Sequence, residues 1–211
     1  SAGTLGISST VFMPTGASLP KVAATRAYGA DVVMHGATVD ESLEAAIAFA
    51  DETGAVLIHP FDHPDIVAGQ ATVGIEILEQ MPDVGTVLVP LGGGGLLAGV
   101  AAAIKLHNRA VRVIGVQAEA AAAWPYSLAR GAPVKATSMN TMADGIAVAT
   151  PGVVPFAHVS ELVDEVVTVS EEAISQALVL VLERAKLVVE PAGATAVAAI
   201  TSISDLRLDG Q

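Results

Sequence analysis

A chain of 211 residues with 52% hydrophobic and only 15% charged residues can bury a sizeable core, as one large domain or two small ones. A net charge of −12 argues against nucleic acid as a partner, and the lack of cysteine excludes disulfides and Cys-ligated metal. Charges interrupt every apolar run before it reaches bilayer length and no secretory pattern opens the chain, so the expectation is a cytoplasmic protein without membrane contact.

Strand and helix signals alternate from residue 10 onward. Residues 10–13 read as a strand closed by Pro14, 19–28 as a helix stopped by Gly29, and 31–35 as a second strand. A helix is expected over 41–53, with Asp40 as its N-cap and Gly54 ending it, then a strand over 55–59 stopped by Pro60. Next come an amphipathic helix over 65–80, a strand over 84–89, a helix over 96–107 and a strand over 111–116. Residues 120–131 read as helical. Residues 132–155 read as loop, with turn signals at Asp144-Gly145 and Pro151-Gly152. A strand over 165–169 leads to a helix that Ser170 caps, with Glu171 and Glu172 in its first turn, running to about residue 185. Pro191 starts a last helix, over 191–200. Strands separated by helices of this length predict βαβ units and parallel sheets, and the scarcity of aromatics (3%) suits close helix–sheet packing. The turn-rich segment 60–64 is the expected domain boundary. Both ends look abrupt, as if sequence were missing.

The most informative stretch joins a buried-strand signal to four consecutive glycines, Gly92, Gly93, Gly94 and Gly95, and then to an Ala/Leu-rich helix. The run is expected for backbone freedom and close approach rather than for packing. At a helix N-terminus it offers free amide N–H groups and a favourable dipole to an anion, so the expectation is a phosphate cradle. A Walker A loop is excluded, because Leu96 and Leu97 follow Gly95 where Lys and Ser/Thr are needed. Gly93, Gly95 and Ala98 fit the dinucleotide pattern G-x-G-x-x-A, with Glu119 after the next strand as a ribose-binding acid. Any glycine run meets that pattern easily. The compact phosphate of pyridoxal phosphate is the third reading, since a tight tetraglycine turn can surround it with N–H donors and two Leu residues can wall it.

The stretch VPLGGGGLLAGVAAAIK resembles the phosphate loop of the fold type II pyridoxal-phosphate enzymes, and within them the threonine dehydratases (threonine ammonia-lyases). Further blocks resemble that family in the same order: FMPTGASLPKVAATRAYGADVVMHG, IHPFDHPDIVAGQATVGIEILEQ, IGVQAEAAAAW, TMADGIAV, ELVDEVVTVSEEAI and ERAKLVVEPAGATAVAA. The likeness spans residues 4–200. It implies an α/β fold with two open, mostly parallel sheets flanked by helices, like tryptophan synthase β. It further implies a small substrate-closing domain over 4–62 and a large cofactor-binding domain over 63–200, with 1–3 and 201–211 as fragments of missing segments.

By the same resemblance, the cofactor is pyridoxal 5'-phosphate and the reaction is dehydration and deamination of L-threonine, and of L-serine, to a 2-oxo acid and ammonia. The implied cofactor-binding residues are Gly92, Gly93, Gly94, Gly95 and Leu96 at the phosphate, Gly145 beside the ring and Glu190 facing the cofactor region. The family's Schiff-base lysine lies in a Ser-x-Lys-x-Arg-Gly-Ala motif, and none of Lys21, Lys105, Lys135 or Lys186 sits in one. Ser1-Ala2-Gly3 resembles the opening of the family's Ser-Ala-Gly-Asn-His block, whose Asn and His are not in this chain. An incomplete record of an active enzyme is therefore expected, a homo-oligomer (dimer or tetramer) acting on a small amino-acid substrate. In some relatives the counterpart of Glu119 helps hold a divalent metal with an Asp six residues on. Pro125 stands there, so no metal site is expected, and the five histidines lack ligand spacing. The alternatives are a nicotinamide-dependent oxidoreductase using Gly93, Gly95 and Glu119, and an inactive relative of the pyridoxal-phosphate fold.

Overall fold

The computed structural model of the chain describes residues 2–206 and 208; the remaining parts of the end segments 1–3 and 201–211 lie outside the described residues. Two compact units are present, residues 1–59 and 60–211.

In the first unit, β1 (Thr10–Met13) and β2 (Asp31–Met34) pair in parallel, Thr10 opposite Asp31 and Met13 opposite Met34. Helix α1 (Leu19–Ala27) makes the crossover, with Pro20 in its first turn where a missing N–H costs no helical bond. Helix α2 (Val39–Thr53) follows. Its N-cap is Thr38, not the expected Asp40: Thr38 Oγ1 accepts from the Glu41 amide at 3.2 Å, and Glu41 Oε2 accepts from the Ala37 amide at 2.6 Å. This reciprocal pairing resembles a capping box, which a Thr followed by Glu three residues on supplies. Phe49 of α2 meets Phe12 of β1 with ring centroids 5.5 Å apart. The strand expected over 55–59 does not form. Val56 and Ile58 are exposed, and among the described residues no strand pairs with this segment. An apolar segment without a ladder partner has no inter-strand hydrogen bonds to make it a strand.

The second unit is built on a parallel sheet of order β3 (Thr86–Pro90), β4 (Arg112–Ala118), β5 (Glu165–Val169). Around it lie α3 (Pro64–Gln80), α4 (Gly95–His107), α5 (Trp124–Arg130), α6 (Val153–Leu162), α7 (Glu171–Leu180) and α8 (Pro191–Ser202). Strand alternation divides the core. Val87 and Val89 pack with Leu97, Val100 and Ile104 of α4, whereas Leu88 between them packs with the cluster from α7 and α8 that holds Ile174, Ala194 and Ala198. Helix α4 presses on α3 closely. A Cβ at Gly99 would stand 2.6 Å from the Ala71 nitrogen, and one at Gly74 2.9 Å from the Val100 oxygen.

The helix expected over 120–131 begins only at Trp124, after a 3-10 turn at Glu119–Ala121, because Pro125 suits a first turn and not an interior. Helix α6 falls where a loop was expected up to residue 155, and its start is capped from a distant segment rather than by its own sequence. The helix expected to reach residue 185 is α-helical to Leu180 and then widens into a π-helical turn, Val181–Ala185, closed by Lys186 in the left-handed conformation (φ 59°). Among the described residues no helix is long and apolar enough to cross a membrane.

An ion pair ties the sheet at the end opposite the glycine run. Lys105 Nζ donates to Asp164 Oδ2 at 2.7 Å and to the Val111 carbonyl at 2.7 Å, and Asp164 Oδ2 also accepts from the Val113 amide at 2.7 Å. Burial pushes the Asp164 carboxyl up, but the Lys105 hydrogen bond, the Val113 amide and the charges of Lys105 and Arg112 outweigh it and hold the group below its ordinary value of 3.8.

Candidate functional site

Strand β3 delivers the glycine run at its carboxyl end, and the Leu91 amide donates to the Val116 carbonyl at 2.8 Å, so the chain leaves the sheet from a fixed point. From there the carbonyls are pinned in succession. Trp124 Nε1 donates to the Gly92 oxygen at 2.7 Å, the Gly152 amide donates to the Gly93 oxygen at 3.0 Å, and the Ala98 amide donates to the Gly94 oxygen at 2.9 Å. In a planar trans peptide the N–H points opposite to its C=O. Drawing these carbonyls into protein therefore turns the amides of Gly93, Gly94 and Gly95 the other way. Among the described residues the amides of Gly92, Gly93, Gly94, Gly95 and Leu96 make no hydrogen bond. The start of α4 adds its dipole to the same region, an arrangement chemically suited to a compact anion.

The close approach expected of the glycines is made by neighbouring protein groups, so the run serves packing as well, which the expectation had set aside. A Cβ at Gly93 would enter the Phe61 ring, one at Gly95 would stand 3.0 Å from the Phe61 oxygen, and one at Gly92 3.0 Å from the Ile146 Cα. Gly94 adopts φ 102°, and its Cβ would meet the Trp124 ring and, at 2.8 Å, Pro155 Cβ. Neighbouring residues therefore press on four successive positions, and only one of the four needs the left-handed conformation.

Gly145, in the 3-10 turn Asp144–Ile146, lies beside Glu190 at the start of α8; a Cβ at Gly145 would stand 2.9 Å from Glu190 Oε1 and 3.0 Å from Ala192 Cβ. Because Ile146 is also the wall of Gly92, the fold gathers Gly92, Gly93, Gly94, Gly95, Leu96, Gly145 and Glu190 into one contiguous region. The turn itself is held by Glu171, whose Oε2 accepts from the Met142 amide at 2.8 Å. Leu96 packs its side chain against the core beside α4 and leaves only its amide to the loop. Glu119 is exposed on the turn after β4. Lys105 belongs to the ion pair at the far end of the sheet, and Lys186 Nζ donates to the Glu183 carbonyl at 2.7 Å.

Sequence reading missed the residues that hold the loop. Phe61 and Asp62, which the expected division at 62/63 gave to the small domain, pack within the second unit. Asp62 Oδ1 accepts from the Val154 amide at 2.8 Å and Oδ2 from the Val153 amide at 2.9 Å, capping α6. Gln117, fully buried in β4, accepts from the Trp124 backbone amide at 3.0 Å and donates to the Ala121 carbonyl at 3.3 Å, which fixes the backbone that carries the indole. The one available signal was Trp124, the sole tryptophan of the chain: a buried indole needs an acceptor.

All residues, 1–211, match the family model described as pyridoxal-phosphate dependent enzyme. The chain is 50% identical to an L-threonine ammonia-lyase of Geobacter sulfurreducens over 211 residues, which is 100% of this chain and 52% of that protein. An L-threonine ammonia-lyase of Thermotoga maritima is 48% identical over 202 residues, 96% of this chain and 50% of that protein. The processed form of threonine deaminase isoform 2 from Solanum lycopersicum superposes with a TM-score of 0.86 at 40% identity, covering 92% of this chain and 57% of that one. The chain thus spans about half the length of the two ammonia-lyases. With a family match over every residue, the dinucleotide reading of Gly93, Gly95 and Glu119 falls away: the chain belongs to the pyridoxal-phosphate dependent enzyme family.

Proposed function

We propose that this chain forms the phosphate-holding part of an enzyme that uses pyridoxal 5'-phosphate to dehydrate and deaminate L-threonine, and L-serine, releasing 2-oxobutanoate or pyruvate and ammonia. The observation that carries the reading is the row of unused amides from Gly92 to Leu96, of which those of Gly93, Gly94 and Gly95 are turned away from carbonyls held on Trp124, Gly152 and Ala98. Donors with no partner in the described protein, at a helix start and beside no Lys or Arg of the loop itself, fit a phosphate monoester. The identities of 50% and 48% to two L-threonine ammonia-lyases support the substrate.

In this reading the amides of Gly93, Gly94, Gly95 and Leu96 hold the phosphate, and the α4 dipole favours its charge. Gly145 permits close approach of the cofactor to the backbone, and the Glu190 carboxylate stands next to it. Buried Leu97 and Trp124 exclude water from behind the loop. Once bound, the pyridoxal group supplies an electron sink for the pair left when a proton departs from Cα. A cytoplasmic homo-oligomer acting on a small amino acid is part of the same proposal.

The test is the intact protein purified with pyridoxal 5'-phosphate. Absorbance near the visible edge is expected, together with 2-oxobutanoate from L-threonine and pyruvate from L-serine. A cofactor-loaded protein that forms neither 2-oxo acid would refute the activity.

A further inference from the structure

The Asp62 carboxylate takes both first amides of α6, from Val153 at 2.9 Å and Val154 at 2.8 Å. These bonds fix the preceding residue, Gly152, against Asp62: a Cβ at Gly152 would stand 2.9 Å from Asp62 Cβ and 2.9 Å from its Cγ. The Gly152 amide in turn holds the Gly93 carbonyl at 3.0 Å. Next along the chain, Phe61 is the wall against Gly93 and Gly95. One short segment therefore grips the glycine run twice, once by packing and once through a capped helix.

We infer that Asp62 is a positioning residue for anion binding at the glycine loop, acting through the Gly152–Gly93 hydrogen bond that sets the direction of the Gly94 amide. The inference rests on the proposal that the loop holds a phosphate. A carboxylate that accepts two backbone amides makes charge-assisted bonds, which are stronger and stiffer than neutral ones. Its loss frees Gly152, and the Gly93–Gly94 peptide can then rotate away from the direction the phosphate needs.

The experiment compares affinities of the intact protein for pyridoxal 5'-phosphate and for pyridoxal, which lacks the phosphate, by equilibrium dialysis. Asp62→Asn is expected to weaken the phosphate ester by about tenfold and to leave pyridoxal unchanged. Val153→Pro is the second variant. It removes one of the two N–H donors at a first helical position that accepts proline, and Gly152 already has the φ −65°, ψ 149° that a following proline requires. A smaller fall in phosphate preference is expected there, and this variant carries the test if Asp62→Asn does not fold. Equal weakening of both ligands, or an unchanged preference in both variants, overturns the positioning role while leaving the phosphate loop in place. A wild-type protein that binds the two ligands equally removes the phosphate reading itself, and the inference with it.

Discussion

The indole of Trp124 donates to the carbonyl of Gly92 across 2.7 Å, and the same ring fills the space a Cβ at Gly94 would need. One buried side chain thus orients the first peptide of the glycine run and forbids any other residue two positions later. Trp124→Phe removes the donor together with the part of the indole that stands over Gly94, and keeps an aromatic ring for contact with Phe156, whose ring centroid lies 5.9 Å from that of Trp124. The variant is expected to lose about 2–4 kcal/mol of stability in chemical denaturation, from the unsatisfied Gly92 oxygen and the cavity left in a fully buried site. Affinity for pyridoxal 5'-phosphate should fall with it. An unchanged affinity would show that the Gly92 peptide is held without the indole.

Gly94→Ala adds a Cβ where φ is 102° and where Trp124 and Pro155 already stand. Left-handed strain and overpacking together are expected to cost about 2–4 kcal/mol. Thermal unfolding measures this, and a variant as stable as wild type would contradict the packing described.

Gly99→Ala tests the α3–α4 seam away from the loop. The added methyl would meet the backbone of Val67, Gln70 and Ala71, which cannot swing aside as a side chain can. A loss of about 1–3 kcal/mol is expected, with the preference for pyridoxal 5'-phosphate over pyridoxal retained by the protein that remains folded.

The Lys105–Asp164 pair gives a pH signature. The Asp164 carboxyl lies below its ordinary value of 3.8 in the folded protein, so its stabilising contribution is complete above that pH and is lost as pH falls through the folded value. The stability difference between wild type and Asp164→Asn should therefore be constant near neutrality and shrink in acid below pH 3.8. A difference that grew in acid would reverse the sign of the shift. Lys105→Ala is expected to cost about 2–3 kcal/mol, less than the loss of a wholly buried pair, because the Asp164 side chain is 39% exposed.

Much of the fold was legible. Short apolar and β-branched runs marked β1 and β5 at their observed bounds, and prolines and glycines marked most helix ends, because these signals act over a few residues. Where the reading failed, a distant partner decided. Val56 and Ile58 have strand propensity but no ladder in the described chain. The start of α6 is capped by Asp62, about ninety residues earlier in sequence, so its own residues looked like loop. Thr38 displaced Asp40 as a cap because its reciprocal partner, Glu41, is spaced for it.

The sequence by itself determined that a strand, four glycines and a helix would create a cradle of amide donors, since those conformations follow from local backbone freedom and helix polarity. It also determined, through ordered blocks of resemblance, the family to which the chain belongs. Only the tertiary structure decided what aims that cradle. Trp124 and Gly152 pin two carbonyls, Phe61 and Pro155 exclude side chains, and Ile146 joins the loop to Gly145 and Glu190. These contacts link positions far apart in the chain, and a peptide plane takes its direction from whichever distant donor reaches its oxygen.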